Sequence, residues 1–145
     1  VYGEYGNNFL KTMLNLASKN NELNIVSDQF GCPTYSNDIA RAAIAIITKI
    51  EKNECEWGIF NFCGDKVLSW FDFAGLIFKE AQELNLLNAP KINPILTEDF
   101  LTPAARPKYS VLCMKKFIET FEFNPSKVEK GIKDSLKNLS ILDAQ

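Results

Sequence analysis

Stretches of helical apolar periodicity outnumber strand-like runs in this chain, and that imbalance constrains its fold more than any other feature. Leu10, Met13, Leu14 and Ala17 recur at helical spacing after Asn7-Asn8, either of which can accept a hydrogen bond from the first free amides. Ile39, Ala40, Ala43, Ile44, Ile47 and Ile50 give a second helix a wide apolar face, with Ser36, Asn37 or Asp38 as its cap. Such a face is expected to pack on a sheet. A third helix follows Ser69-x-x-Asp72, a weak capping box, and carries Trp70, Phe73, Ala74, Ile77, Ala81 and Leu84. Lys115 to Phe121 suits a short helix, and Asn124-Pro125 opens a terminal one lined by Val128, Ile132, Leu136 and Leu139. Strand signals are fewer: Glu22 to Ser27, the glycine-bounded aromatic run Gly58 to Gly64, and Ile92 to Leu96, where Pro94 confines the strand to an edge or a bulge. Trp57, Trp70 and the phenylalanines read most simply as core.

This order indicates an α/β fold with no repeat and no low-complexity linker. At 145 residues and 46% apolar content the chain can form one core, burying roughly two thirds of its unfolded surface. Three short strands, however, make a poor sheet for four amphipathic helices. The chain also begins at Val1, in a segment that reads as the end of a strand. The expectation is one C-terminal part, residues 1–145, whose sheet is completed by an absent N-terminal half.

Composition excludes several functions. The net charge is −2, with lysines interspersed among acids, so no basic stripe marks a nucleic-acid partner. The longest apolar runs fall well short of the ~20 residues that span a bilayer, and a cytoplasmic location without membrane contact is expected. No histidine is present, and Cys32, Cys55, Cys63 and Cys113 form no C-x-x-C, so zinc signatures and Ser-His or Cys-His nucleophile pairs are missing. Buried free thiols are the expected state of the cysteines.

The remaining polar loop residues suit ligand holding. Asn8, Gln29, Thr34, Arg106 and Ser110 lie at the ends of expected elements, and the planar fork of Arg106 fits a phosphate with two bonds. Pro103 and Pro107 break the segment around that arginine, while Gly31 and Pro33 give the Gln29 to Thr34 loop one permissive and one stiff residue. The competing readings are an exposed arginine in a weak surface ion pair and an ordinary strand-to-helix connection. Gly3-Glu4-Tyr5-Gly6 lacks the third glycine of a dinucleotide turn. Tyr2, Tyr5, Tyr35 and Tyr109 are followed four residues on by Gly6, Phe9, Ile39 and Cys113, so the Tyr-x-x-x-Lys proton donor of short-chain dehydrogenases is absent and no catalytic residue is assigned.

Together, Val1-Tyr2-Gly3, Gly6-Asn7-Asn8-Phe9, Asp28-Gln29-x-Gly31-x-Pro33-Thr34, Asp38-Ile39-Ala40, Gly58-Ile59-Phe60-x-Phe62, Ser69-Trp70-Phe71-Asp72-Phe73-Ala74 and Thr102-Pro103-x-x-Arg106-Pro107-x-x-Ser110-x-Leu112 resemble the C-terminal part of the dTDP-4-dehydrorhamnose reductase family. These are extended short-chain dehydrogenases with a Rossmann-like fold. The resemblance implies the substrate-binding half of an enzyme that reduces the 4-keto group of dTDP-4-dehydro-6-deoxy-L-mannose with NADPH or NADH to dTDP-L-rhamnose, for polysaccharide biosynthesis. It implies a place for Tyr2 near the nicotinamide and sugar. It also implies contacts to the nucleotide sugar from Asn8, Phe9, the Gln29, Gly31, Pro33 and Thr34 loop, and Arg106 with Ser110. Many members have two arginines before the proline where this chain has Ala105-Arg106, leaving one cation near the diphosphate.

The catalytic residues and most of the cofactor site would then lie in the absent half, and this chain alone would be inactive. A non-catalytic regulatory subunit, like the β subunit of methionine adenosyltransferase, and a stand-alone sugar-nucleotide binding module are the alternatives. The choice between NADPH and NADH, a Mg2+ requirement and a homodimeric state stay open.

Overall fold

The computed structural model describes residues 1–54, 57–100, 102 and 104–142. Cys55 and Pro103, both singled out from the sequence, lie outside the described residues. In chain order the helices are α1 (Phe9–Ala17), α2 (Ser36–Glu51), α3 (Trp70–Glu83), α4 (Lys115–Phe121) and α5 (Val128–Leu142). The strands are β1 (Glu22–Val26), β2 (Phe30–Gly31), β3 (Leu68–Ser69) and β4 (Lys91–Ile95). This is an α/β arrangement, with a parallel β1–β4 pair from Glu22 opposite Lys91 to Val26 opposite Ile95, and a short antiparallel β2–β3 pair. Pro94 sits opposite Ile25 in a two-stranded sheet, where every strand is an edge and its missing donor is tolerated.

Local signals set the ends of α1 and α3. The Asn8 side chain accepts a hydrogen bond from the Lys11 amide at 3.2 Å and caps α1. Ser69 and Asp72 form the full capping box of α3: the Asp72 amide donates to Ser69 Oγ at 3.0 Å, and the Ser69 amide donates to the Asp72 carboxylate at 3.3 Å. The apolar faces of α1 and α3 then close on the β1–β4 pair and α5 packs on α3, with Leu10, Phe73, Ile77, Ile132 and Leu136 buried at the centre. Burying a side chain of this size contributes about 1.5–3 kcal/mol.

Several expectations need correction. Gly58 to Gly64 is not a strand: among the described residues it has no ladder partner. Its backbone is instead fixed by side chains, the Cys63 amide donating to the Met114 sulfur at 3.1 Å while Phe60 and Phe62 pack on Phe121 and Phe117, each at 4.9 Å between centroids. The terminal helix starts at Val128 rather than Pro125, and its first amide donates to Asp65 at 2.9 Å, so a distant loop caps it in place of Asn124. Asp38 does not cap α2, whose N-cap is Tyr35 with no side-chain bond. The buried Asp38 carboxylate accepts instead from the Ser126 amide and hydroxyl, both at 2.8 Å, tying α2 to the approach to α5.

Nor does α2 lay its broad apolar face on a sheet. It meets α4 through Ala42 and Ile46, whereas Ile39, Ile44, Ile47 and Ile50 stay exposed. Trp57 is 81% exposed and is not core.

Candidate functional site

The loops between these elements converge on one cavity of about 830 Å3, within the roughly 300–1,000 Å3 typical of small-molecule sites. Its wall is built from the start of the chain and α1, from β1 and the loop through β2, from β3 and the first turn of α3, and from the segment 100–112. Tyr2, Asn8, Phe9, Gln29, Gly31, Pro33, Thr34, Arg106 and Ser110, the nine residues expected at a ligand site, all border it.

Backbone connections fix that convergence. The Tyr2 amide donates to Thr34 O at 2.9 Å and the Ser36 amide donates to Tyr2 O at 2.8 Å, so the first residues lie alongside the loop. Thr34 Oγ1 donates to Cys32 O at 2.9 Å and accepts from the Gly64 amide at 3.1 Å, locking the loop shape from inside. Gly64 is obligatory there, since a Cβ would lie 1.9 Å from Pro33 O. Phe30 bridges to Tyr109: its amide donates to Lys108 O at 2.8 Å, and the Ser110 amide donates to Phe30 O at 2.9 Å, bringing the arginine segment to the cavity mouth.

The nine side chains are unequally free. Arg106 is exposed at the rim, and no ion pair among the described residues includes it. Gln29 is buried and uses its amide nitrogen to donate to Thr97 Oγ1 at 3.1 Å. Phe9 lies against Trp70 at 4.8 Å and Phe73 at 5.5 Å, giving the wall an aromatic surface. Asn8 and Ser110 serve the protein first: Asn8 also donates to Gly3 O at 2.8 Å, and Ser110 Oγ donates to Phe30 O at 3.1 Å. The Tyr2 hydroxyl is turned into the core, donating to Val128 O at 3.1 Å in the space left by Gly131. Burial, reinforced by the negative charge of Asp38, pushes its pKa far above the ordinary phenol value. That hydroxyl is therefore a poor proton donor or ligand contact.

Sequence reasoning missed Trp70, Thr12, Asn24, Cys32, Cys63 and Phe100, which also line the cavity. Trp70 follows the capping serine directly, a position at the mouth of a helix rather than along its packed face, and this could have flagged it. One guanidinium, neutral hydrogen-bonding groups and aromatic faces make a site for a polar ligand with an anionic group and flat parts.

An α/β arrangement with such a cavity is of the kind found in the extended short-chain dehydrogenase fold. Solved structures agree: a dTDP-4-dehydrorhamnose reductase from Clostridium acetobutylicum superposes with TM-score 0.81 at 37% identity over 96% of this chain and 46% of its own. One from Bacillus anthracis, in complex with NADP, gives TM-score 0.80 at 31% identity over 94% and 45%. A UDP-galactose 4-epimerase at 18% identity and TM-score 0.65 shares the fold.

Residues 1–141 match the model of the RmlD substrate binding domain, and the chain belongs to that family. The dTDP-4-dehydrorhamnose reductase of Aggregatibacter actinomycetemcomitans is 45% identical over 92% of this chain and 46% of its own length. A spore coat polysaccharide biosynthesis protein of Bacillus subtilis is 34% identical over 97% and 45%. The chain spans about half the length of the relatives it matches.

Proposed function

We propose that this chain is the substrate-binding part of an NAD(P)H-dependent dTDP-4-dehydrorhamnose reductase. The observation that carries the reading is one cavity bordered by all nine residues that the family resemblance pointed to in separate segments. Identity of 45% to a reductase of that name supports it. Arg106 binds the diphosphate from the rim, the Gln29 to Thr34 loop shapes the floor, and Phe9 with Trp70 offers flat faces to the nucleotide.

The chain's residues do not fit a complete dinucleotide site. Gly3 to Gly6 lacks the third glycine of the phosphate turn, and no tyrosine is paired with a lysine four residues on. Reduction of a 4-keto group needs a hydride at carbon and a proton at oxygen, and the groups that hold the cofactor and deliver the proton belong to the remainder of a longer polypeptide. That remainder also covers the exposed apolar face of α2. The part played by this chain is to bind and orient the sugar nucleotide and to exclude water around it.

Turnover separates this reading from a regulatory or purely binding protein. Full-length protein mixed with dTDP-4-dehydrorhamnose is expected to oxidise NADPH or NADH. Tight binding of the sugar nucleotide without oxidation of either would contradict the enzymatic reading.

A further inference from the structure

The mechanism leaves two thiols in the cavity wall unused. Cys32 lies on the loop after β2 and is partly exposed, whereas Cys63 precedes Gly64 and is 5% exposed. Their segments are in direct contact one residue further along, where Gly64 packs against the Pro33 carbonyl and its amide donates to Thr34 Oγ1. A disulfide needs Cα atoms about 4.4–6.8 Å apart, and the contact sets the two cysteines on adjoining segments of the same cavity wall. Burial first, and then the nearby Cys32 thiol, pushes the Cys63 thiol up to about 11. Such a thiol is slow to react with solutes by itself, so its partnership with Cys32 rests on the contact between their segments.

We propose that Cys32 and Cys63 form a redox-active pair that a peroxide converts to a disulfide across the cavity wall. Cys32, the more open of the two, attacks the peroxide: its S–O bond forms, the O–O bond breaks, and Cys32 becomes a sulfenic acid while one oxygen leaves as water or alcohol. The Cys63 sulfur then attacks the Cys32 sulfur. The S–S bond forms, the S–O bond breaks, and the hydroxyl departs as water with the Cys63 proton. Overall two thiols lose two electrons and two protons, and the peroxide takes them up. The cross-link would staple the loop that Thr34 already ties to Gly64, reshaping the floor of the cavity. That consequence rests on the proposed sugar-nucleotide reading; the cross-link itself does not.

Peptide mapping without reduction, after treating full-length protein with hydrogen peroxide, tests the pair directly. The expected result is a Cys32–Cys63 linked peptide, two hydrogens lighter than its parts, that dithiothreitol releases. In C63S, Cys32 is expected to accumulate as a dimedone-trappable sulfenic acid. Cys32 linked to the exposed Cys113, or overoxidised while Cys63 remains alkylatable, would overturn the proposal. A linked peptide formed with unchanged affinity for dTDP-L-rhamnose would overturn the consequence for the cavity, separately from the pair.

Discussion

The two long helices α2 and α5 read alike in sequence and fare differently in the fold. Both carry apolar residues at helical spacing, yet Val128, Ile132 and Leu136 of α5 are at most 2% exposed, while Ile44 and Ile47 of α2 are 63% and 54% exposed. An amphipathic pattern thus shows that a face is made for burial without showing what buries it. For α5 the cover is α3 and its neighbours in the same chain; for α2 the proposed cover is the remainder of a longer polypeptide.

The largest expected effect lies on the closed side. Leu136→Ala should destabilise the protein by about 2–5 kcal/mol, as emptying a packed site does, whereas Ile44→Ala in the 145-residue chain should stay within about 0.5 kcal/mol. In the full-length protein the cost of Ile44→Ala should rise toward that of Leu136→Ala. Urea denaturation of both variants in both lengths checks this, and equal losses in the short chain would break the contrast.

Smaller effects probe the joints between the core and the cavity. Gly64→Ala drives a methyl into the Pro33 carbonyl and should cost about 1–3 kcal/mol, measured as a lower denaturation midpoint. Ser69→Ala removes one side of the α3 capping box and should cost about 0.5–2 kcal/mol on the same measurement.

The smallest effect is a pH dependence. Hydrogen bonding from Thr97, together with the charge of Lys108, holds the Asp28 carboxyl below its usual range. A lowered folded pKa stabilises the protein above the ordinary carboxylate pKa, and that contribution fades as pH falls through the lowered value. Asp28→Asn should therefore flatten the acid limb of the stability profile and leave its neutral plateau lower; parallel profiles would remove Asp28 from the acid response.

What was legible in the sequence follows the range of the interaction. The cap of α1, the capping box of α3 and the buried stripe of α5 depend on residues a few positions apart, and each was readable. The run Gly58 to Gly64 has strand composition, but a strand exists only with a partner, and here phenylalanines and the Met114 sulfur hold it instead. The start of α5 depends on Asp65 and Asp38, far away in sequence, which no local pattern reveals. At the cavity, the segments that the resemblance singled out border one space. It could not tell that the Tyr2 hydroxyl faces Val128, or that Ser110 is engaged by Phe30, because those partners are set by the fold.

Calorimetric titration of dTDP-L-rhamnose into full-length protein and its Arg106→Ala variant tests most directly whether this cavity holds the sugar nucleotide. Saturable one-site binding that weakens by about 1.5–3 kcal/mol in the variant, the range for a hydrogen bond to a charged group, is the predicted result. Equal dissociation constants for the two proteins would remove Arg106 from the site, and absence of binding to either would contradict the assignment of the cavity.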